Sequence, residues 1–283
     1  MLSKSFFSFL AVCTCALPLS ALAQVSLNDM AEARGYGMAN MLSSAARGTQ
    51  ALYANPASLS FDERFEVESS GTLNFAKNSY KFFGIGIADS KAGPVAAALS
   101  YHMVGTGPKD AQSTAHLLSL AIAVPIIAKM FHLGVSGRQH FIRGPQNSNP
   151  FNLNAGMGLL LLNNLLAFSL SAHNLMNTSS IELPRYFVLA GSGNIGGFLV
   201  TVEKRGHFNN RQSRFTWGSS LEYSFREMFA VRGGYAYDQV QKANILGVGF
   251  GFFTPGGSVD LGYRYTLGGA RHNVLALTGR FFI

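Results

Sequence analysis

From Gly257 to Ile283 the side chains alternate with a strict period of two. Val259, Leu261, Tyr263, Tyr265 and Leu267 point one way, and Asp260, Gly262, Arg264 and Thr266 the other. After a polar turn, Leu275, Leu277, Gly279, Phe281 and Ile283 share one face, and Val274, Ala276, Thr278, Arg280 and Phe282 the opposite one. This is strand periodicity. One face is apolar and ends in aromatic residues; the other carries charge in mid-strand. A soluble sandwich buries such an apolar face against a second sheet. A transmembrane barrel turns it to lipid and its polar face to a lumen.

The N-terminal residues favour export. Lys4 precedes an apolar run from Phe6 to Leu19, and Ala21-Leu22-Ala23 makes a small-x-small cleavage site before Gln24. This predicts a signal peptide over 1–23, with an uncleaved anchor as the alternative. Cys13 and Cys15 both fall in this segment, so a chain cleaved after Ala23 has no disulfide, thiol nucleophile or cysteine metal site. Charged residues make up 13% of the chain, and its longest apolar stretches are interrupted. Pro125 and Lys129 break Leu117–Val135, and Asn163-Asn164 breaks Met157–Leu170. That argues against membrane helices and for spanning strands. The net charge of +8 lies scattered near strand ends on an exported chain, which argues for lipopolysaccharide phosphates and against nucleic acid.

Residues 24–63 lack strand alternation and carry alanine-rich pieces with helical spacing. Within them, Gly35-Tyr36-Gly37-Met38-Ala39 is followed by Thr49-Gln50-Ala51-Leu52-Tyr53-Ala54-Asn55-Pro56-Ala57-Ser58-Leu59. Asn55-Pro56 is a helix-start signal, a capping oxygen followed by a fixed φ. This pattern resembles the N-terminal signature of the long-chain fatty-acid transporter superfamily of outer-membrane barrels, which also holds the Por-type barrels of secretion systems. Ala45-Ala46-Arg47-Gly48 departs from the acidic residues that superfamily usually has before its Ala-Leu-Tyr. The resemblance implies an all-β transmembrane antiparallel barrel of 14 strands, with the N-terminal segment folded inside as a plug that includes Arg47, Asn55, Pro56 and Ala57.

Alternation alone, followed from Arg64, gives strands at 64–75, 80–89, 94–104, 115–125, 130–142, 152–162, 165–175, 184–192, 197–204, 214–225, 228–238, 245–254, 258–267 and 272–283, about fourteen in all, each near the length a tilted strand needs to cross a bilayer. Short connections alternate with longer ones at 105–115, 144–151, 177–183, 205–213 and 239–244, as in outer-membrane barrels. An even count leaves both termini at the periplasmic face. The expected division is therefore signal peptide 1–23, plug 24–63 and barrel 64–283. In the last five strands the outward positions carry no charge. A basic residue there at mid-bilayer would cost about 2–4 kcal/mol. Tyr101, Phe215, Trp217, Tyr237 and Tyr265 are expected at the outer interface, and Phe198, Phe225, Phe229, Phe252 and Phe281 at the inner one.

The inward positions supply the candidate site. Arg138, Arg232, Arg264 and Arg280 face a wall with Glu222 and Asp260. They form either an anchor for a substrate carboxylate or phosphate or a network that fixes the plug, with Arg47 able to join it. His102, His132, His140 and His173 lie on separate stretches without metal-ligand spacing, so polar lining is expected, with no metal and no cofactor. Ser136, His140 and Ser148 lack an acid partner in any fixed motif, so no catalytic set is expected. Gly247, Gly249 and Gly251 alternate inward, leaving room for the plug or permitting curvature. Lys204, Arg205, His207, Arg211, Lys242 and Arg271 are placed on outer loops as lipopolysaccharide contacts. Ser169–Leu175 resembles an Asn-Leu strand end of Por-type members. Three functions stand, in order: a plugged channel for hydrophobic or amphipathic small molecules, an anchor or shuttle subunit of a secretion or envelope complex, and a lipid-modifying enzyme.

Overall fold

A computed structural model describes residues 31–75, 81–106, 113–127, 129–144, 147–176, 185–209, 212–268 and 273–283. The signal peptide expected at 1–23, with Cys13 and Cys15, lies outside the described residues, as do Arg211 and Arg271. The chain forms fourteen strands: β1 (Phe65–Asn74), β2 (Lys81–Asp89), β3 (Ala96–Thr106), β4 (Ser113–Ile127), β5 (Phe131–Arg143), β6 (Phe151–Leu161), β7 (Leu166–His173), β8 (Tyr186–Ile195), β9 (Phe198–Asn209), β10 (Gln212–Phe225), β11 (Phe229–Asp238), β12 (Ala243–Thr254), β13 (Gly257–Leu267) and β14 (Asn273–Phe282). Each pairs antiparallel with its sequence neighbour, and β1 pairs with β14 from Glu66↔Phe282 to Asn74↔Val274, so the sheet closes on itself. Closure leaves no unpaired edge, the condition for strands to lie in hydrocarbon.

The alternation seen in the sequence is the alternation of the wall. On β13, Ser258, Asp260, Gly262, Arg264 and Thr266 are buried, while Val259 and Leu261 are exposed. Exposed Leu, Ile, Val and Phe side chains continue around the barrel, as at Ile85, Leu120, Val135, Leu170, Leu189 and Val231. So large a continuous apolar surface marks a lipid-facing belt. Aromatic residues edge it: Trp217 and Tyr237 at one end, and Phe198, Phe229, Phe252 and Phe281 at the other. The end carrying Phe65 and Ile283 has the short connections and is called the turn end; the opposite end is the loop end. At the turn end, Asn163 and Asn164 both take positive φ (54° and 67°), a conformation that asparagine tolerates and that tight hairpins require.

One expected loop is a correction. Residues 205–213, expected as a connection, are mostly strand: β9 runs to Asn209 and β10 starts at Gln212, with Asn209 paired to Gln212. Charged Lys204 and Arg205 obscured the alternation there. The strand places Lys204 outward, with its Nζ 4.4 Å from the Phe215 ring, and turns Arg205 into the barrel, where its Nε meets Glu203 at 2.6 Å. Arg205 therefore leaves the set of loop cations.

Candidate functional site

The lumen is filled by the chain's own N-terminal segment. It comprises a short helix, α1 (Ala33–Gly37), a 3-10 turn (Gly48–Gln50), a second helical turn, α2 (Ala51–Ala54), and a 3-10 turn (Pro56–Ser60). The Asn-Pro signal acts as its chemistry requires. The Asn55 side chain accepts from Ala57 N at 3.1 Å, Pro56 fixes the first turn, and Ser58 Oγ donates to Asn55 O at 2.8 Å. Small residues let the segment fit. Ala51, Leu52 and Leu59 pack against the wall alanines Ala88, Ala96, Ala98, Ala121 and Ala123.

Inward glycines receive the segment's backbone. A Cβ on Gly262 would fall 1.9 Å from Ala33 O, on Gly234 2.4 Å from Met38 C, on Gly247 2.5 Å from Ala39 N, and on Gly134 2.4 Å from Ala57 N. A Cβ on Gly249 would lie 3.1 Å from the Cα of Gly37, whereas one on Gly251 would meet the Arg232 guanidinium at 2.6 Å. Of the two readings of Gly247, Gly249 and Gly251, room for the plug matches this geometry at the first two positions. Gly134 and Gly234 do the same work, and Gly156 and Gly158 make room for the Asn55 and Phe61 side chains; all four sit at inward positions of their strands and escaped the sequence reading.

Hydrogen bonds divide the segment in two. Residues 32–47 bind the β8–β14 side: Ala33 N donates to Thr278 Oγ1 (3.0 Å), Ser43 N to Glu203 Oε2 (3.0 Å), and Thr201 and Ser220 both donate to Met41 O (2.5 and 2.8 Å). Residues 48–60 bind the β1–β7 side. Thr49 N donates to Glu66 Oε1 (2.6 Å) and Thr49 Oγ1 to Glu68 Oε2 (2.7 Å). Tyr53 OH meets Ser100 Oγ (2.5 Å) and His102 Nδ1 (2.7 Å), and Ser60 Oγ meets His132 Nδ1 (2.8 Å). Gly48, at φ 54°, joins the halves, and Arg34 crosses between them by donating to Gln50 Oε1 at 3.0 Å.

The inward charges form a network. Arg280 donates through Nε to Glu68 (2.9 Å), through Nη1 to Asp260 (2.5 Å) and through Nη2 to Glu32. Arg232 bridges Asp260 (2.5 Å) and Glu222, and Glu222 also takes Arg34 Nε at 2.8 Å. Such fork-shaped pairs hold orientation as well as charge. The Arg264 guanidinium lies 4.9 Å from the Tyr36 ring centre. Arg138 sits 4.8 Å from the Tyr53 ring centre and donates to Ser119 Oγ at 3.3 Å. Arg47 does not join the network. It pairs with Asp62 at 3.0 Å and lies over Phe61, leaving the plug's role in the network to Glu32 and Arg34. Glu66 and Glu68 were legible as inward positions of β1; Glu32 and Arg34 sit on a stretch without strand period, where alternation says nothing.

The four histidines are buried but do not converge. His102 stacks on Phe82 (4.7 Å, 12°) and His173 on Tyr186 (4.5 Å, 8°). His132 serves Ser60, and neither nitrogen of His140 has a partner. Ser136 Oγ accepts from Asn154 Nδ2 at 2.9 Å, and Ser148 bridges Ile142 through its backbone, so neither serine is joined to His140.

Among the described residues, cavities lie beside the plug towards both ends of the bore. One of about 40 Å³, towards the loop end, is lined by Gln50, Tyr53, His173, Tyr186, Val188 and Arg205 among others. The other, of about 230 Å³, lies towards the turn end and is lined by Arg34, Arg47, Asn164, Ser192, Asn194 and Glu222 among others.

No family model matches the sequence, and no curated protein matches it. Solved structures do share its fold. The CymD monoaromatic hydrocarbon channel superposes with a TM-score of 0.70 at 11% identity, over 89% of this chain and 96% of that one. The Ralstonia pickettii toluene transporter TbuX gives 0.65 at 12%, over 90% and 98%. A Pseudomonas aeruginosa FadL homologue gives 0.64 at 11%, over 88% and 98%. Identities this low show the fold alone: a closed antiparallel barrel shared with these channels over 88–90% of this chain.

Proposed function

We propose that this chain is an outer-membrane channel for hydrophobic or amphipathic small molecules, closed by its own N-terminal segment. The observation that carries the reading is the occupied lumen: a closed barrel with an apolar belt, whose bore is filled by residues 31–62 and keeps one cavity at each end. Its fold likeness to hydrocarbon and toluene channels supports a channel over an anchor or shuttle subunit of a secretion or envelope complex. It also favours a channel over an enzyme. In this reading residues 1–23 are removed on export, 24–63 form the plug and 64–283 the barrel. The turn end faces the periplasm, and Lys204 and Lys242 at the loop end meet lipopolysaccharide phosphates. Arg138, Arg232, Arg264, Arg280, Glu222, Asp260, His102, His140 and His173 line the bore, and Arg47, Asn55, Pro56 and Ala57 belong to the plug.

Deletion of residues 25–60 tests it. Single-channel conductance in planar bilayers should rise well above that of the full chain, and detergent-solubilised protein should bind labelled fatty acid saturably. Unchanged conductance removes the gating plug. Co-purification with envelope proteins, without ligand binding, transfers the case to the anchor reading.

A further inference from the structure

We infer that passage runs along the β7–β9 side of the bore, through a septum formed by Leu42–Arg47, and that this piece opens while the rest of the plug stays docked. The inference rests on the channel reading above and deepens it. Both cavities touch the same sector of wall. The register gives three successive inward rows across it: Ser171, Val188 and Arg205 towards the loop end, then Ser169, Ala190 and Glu203, then Ala167, Ser192 and Thr201. Rows two residues apart stand about 7 Å from one another. Val188 and Arg205 line the small cavity; Ala167 and Ser192 line the large one. Only the middle row separates them, and its wall residues Ser169 and Ala190 are small.

On the plug side the septum is also thin. Ser43, Ser44 and Ala45 are small and are held by Ser43 N to Glu203 (3.0 Å), Ser192 Oγ to Ser44 O (3.4 Å) and Arg34 Nη1 to Ala45 O (3.0 Å), while Arg47 at the end of the stretch pairs with Asp62 (3.0 Å) and not with the wall strands. Polar atoms here lack partners. Ser44 Oγ in the septum, and Ser169 Oγ and Gln50 Nε2 beside it, are buried without hydrogen bonds. Its ends are fixed, at Met41 by Thr201 and Ser220 and at Gly48 by a left-handed backbone. Elsewhere the plug backbone lies directly on wall glycines at Gly134, Gly234, Gly247 and Gly262, leaving nothing to open without moving the whole segment. The solute is met first by the stacked His173 and Tyr186 rings and then by arginine, asparagine and serine. That order fits a slender molecule with an apolar body and a hydrogen-bonding end.

The test uses the full chain with Cys13 and Cys15 replaced by serine, in planar bilayers. Arg34→Ala, which frees Ala45 and Gln50 and also removes the ion pair to Glu222, should raise conductance at least threefold. Adding Ser44→Cys with Ser192→Cys should return it to the parent level when oxidised and release it with dithiothreitol. Adding Ser60→Cys with His132→Cys, which staples the other half, should leave the raised conductance unchanged. A closing effect of the second staple equal to the first overturns the inference. So does an inert Arg34→Ala when deletion of 25–60 conducts; if neither conducts, the channel reading itself fails. A second measurement does not depend on Arg34. A membrane-impermeant thiol reagent should modify Ser192→Cys from the turn end and Val188→Cys from the loop end, and leave Val274→Cys, on β14, untouched from both. Modification of Val274→Cys at a similar rate places the route elsewhere.

Discussion

Arg280→Met is the perturbation that most directly tests what holds the plug. The Arg280 guanidinium serves three carboxylates from two parts of the chain: Glu68 and Asp260 on the wall and Glu32 on the plug. It is 6% exposed at the side chain, and Asp260 is fully buried. Methionine fills a similar volume without charge. Asp260 then keeps Arg232 at 2.5 Å, and Glu68 keeps the Thr49 hydroxyl at 2.7 Å. Glu32 is left with only the distant Thr49 hydroxyl at 3.5 Å. Removing one partner of a buried ion pair costs about 3–5 kcal/mol, chiefly from the charge left behind. At about 1.4 kcal/mol per decade this shifts plug docking by roughly two to three and a half decades towards release. Limited proteolysis reads this directly, because cleavage within 31–47 follows the open population when closing is fast. The barrel itself should keep its heat-resistant electrophoretic mobility. Adding Glu32→Gln, which removes the stranded charge, should recover a large part of the protection. Cleavage of Arg280→Met at the parent rate, or no rescue by Glu32→Gln, refutes the view that this triad docks the plug.

Other expectations follow from single contacts. Gly262→Ala sets a methyl 1.9 Å from Ala33 O, a backbone atom that cannot rotate away, and should cost about 1–3 kcal/mol of plug docking by the same proteolysis assay. Gly279→Ala, whose Cβ meets nothing within 4 Å, should leave it unchanged. Leu261→Arg, in the middle of the exposed belt, should destabilise the barrel by about 2–4 kcal/mol in urea titrations in lipid vesicles. At the turn end, the hydrogen bond from Lys129 and its charge hold the exposed Glu63 carboxyl below its ordinary value. A depressed folded value means that the pair's contribution is present above the ordinary carboxylate range and fades as pH falls through the folded value. Lys129→Ala should bring Glu63 back to ordinary titration by carbon NMR. The stability change at neutral pH should be small, since solvent screens the pair.

The barrel was legible in the sequence because lipid and lumen impose opposite demands on neighbouring side chains, and Val259 to Ile283 obeys both at every step. Strand ends were found within a few residues except at the end of β9, where charge on both faces of Lys204-Arg205 looks like a loop. Asn55-Pro56 announced its turn through local chemistry. The docking of the plug was not legible, because its partners lie from 17 to 248 residues away along the chain. Nothing local in Glu32 points to Arg280, or in Gly134 to Ala57. An inward glycine signals close approach without naming what approaches, so Gly134 and Gly262 read alike whether plug, ligand or curvature occupies the space.

The polarity of the bore carries a last step. A plug held by apolar packing alone could settle in several registers, since the alanines at Ala88, Ala96, Ala98, Ala121 and Ala123 form a nearly featureless surface. The ion pairs Glu32–Arg280 and Arg34–Glu222 fix one register at the β10–β14 side, and Thr49 between Glu66 and Glu68 fixes another at β1. Two fixed points on either side of a left-handed Gly48 leave Leu42–Arg47 between them, tied to the wall through Glu203 and Ser192. Charge in the lumen thus specifies where the plug stays and, by the same means, where it can give.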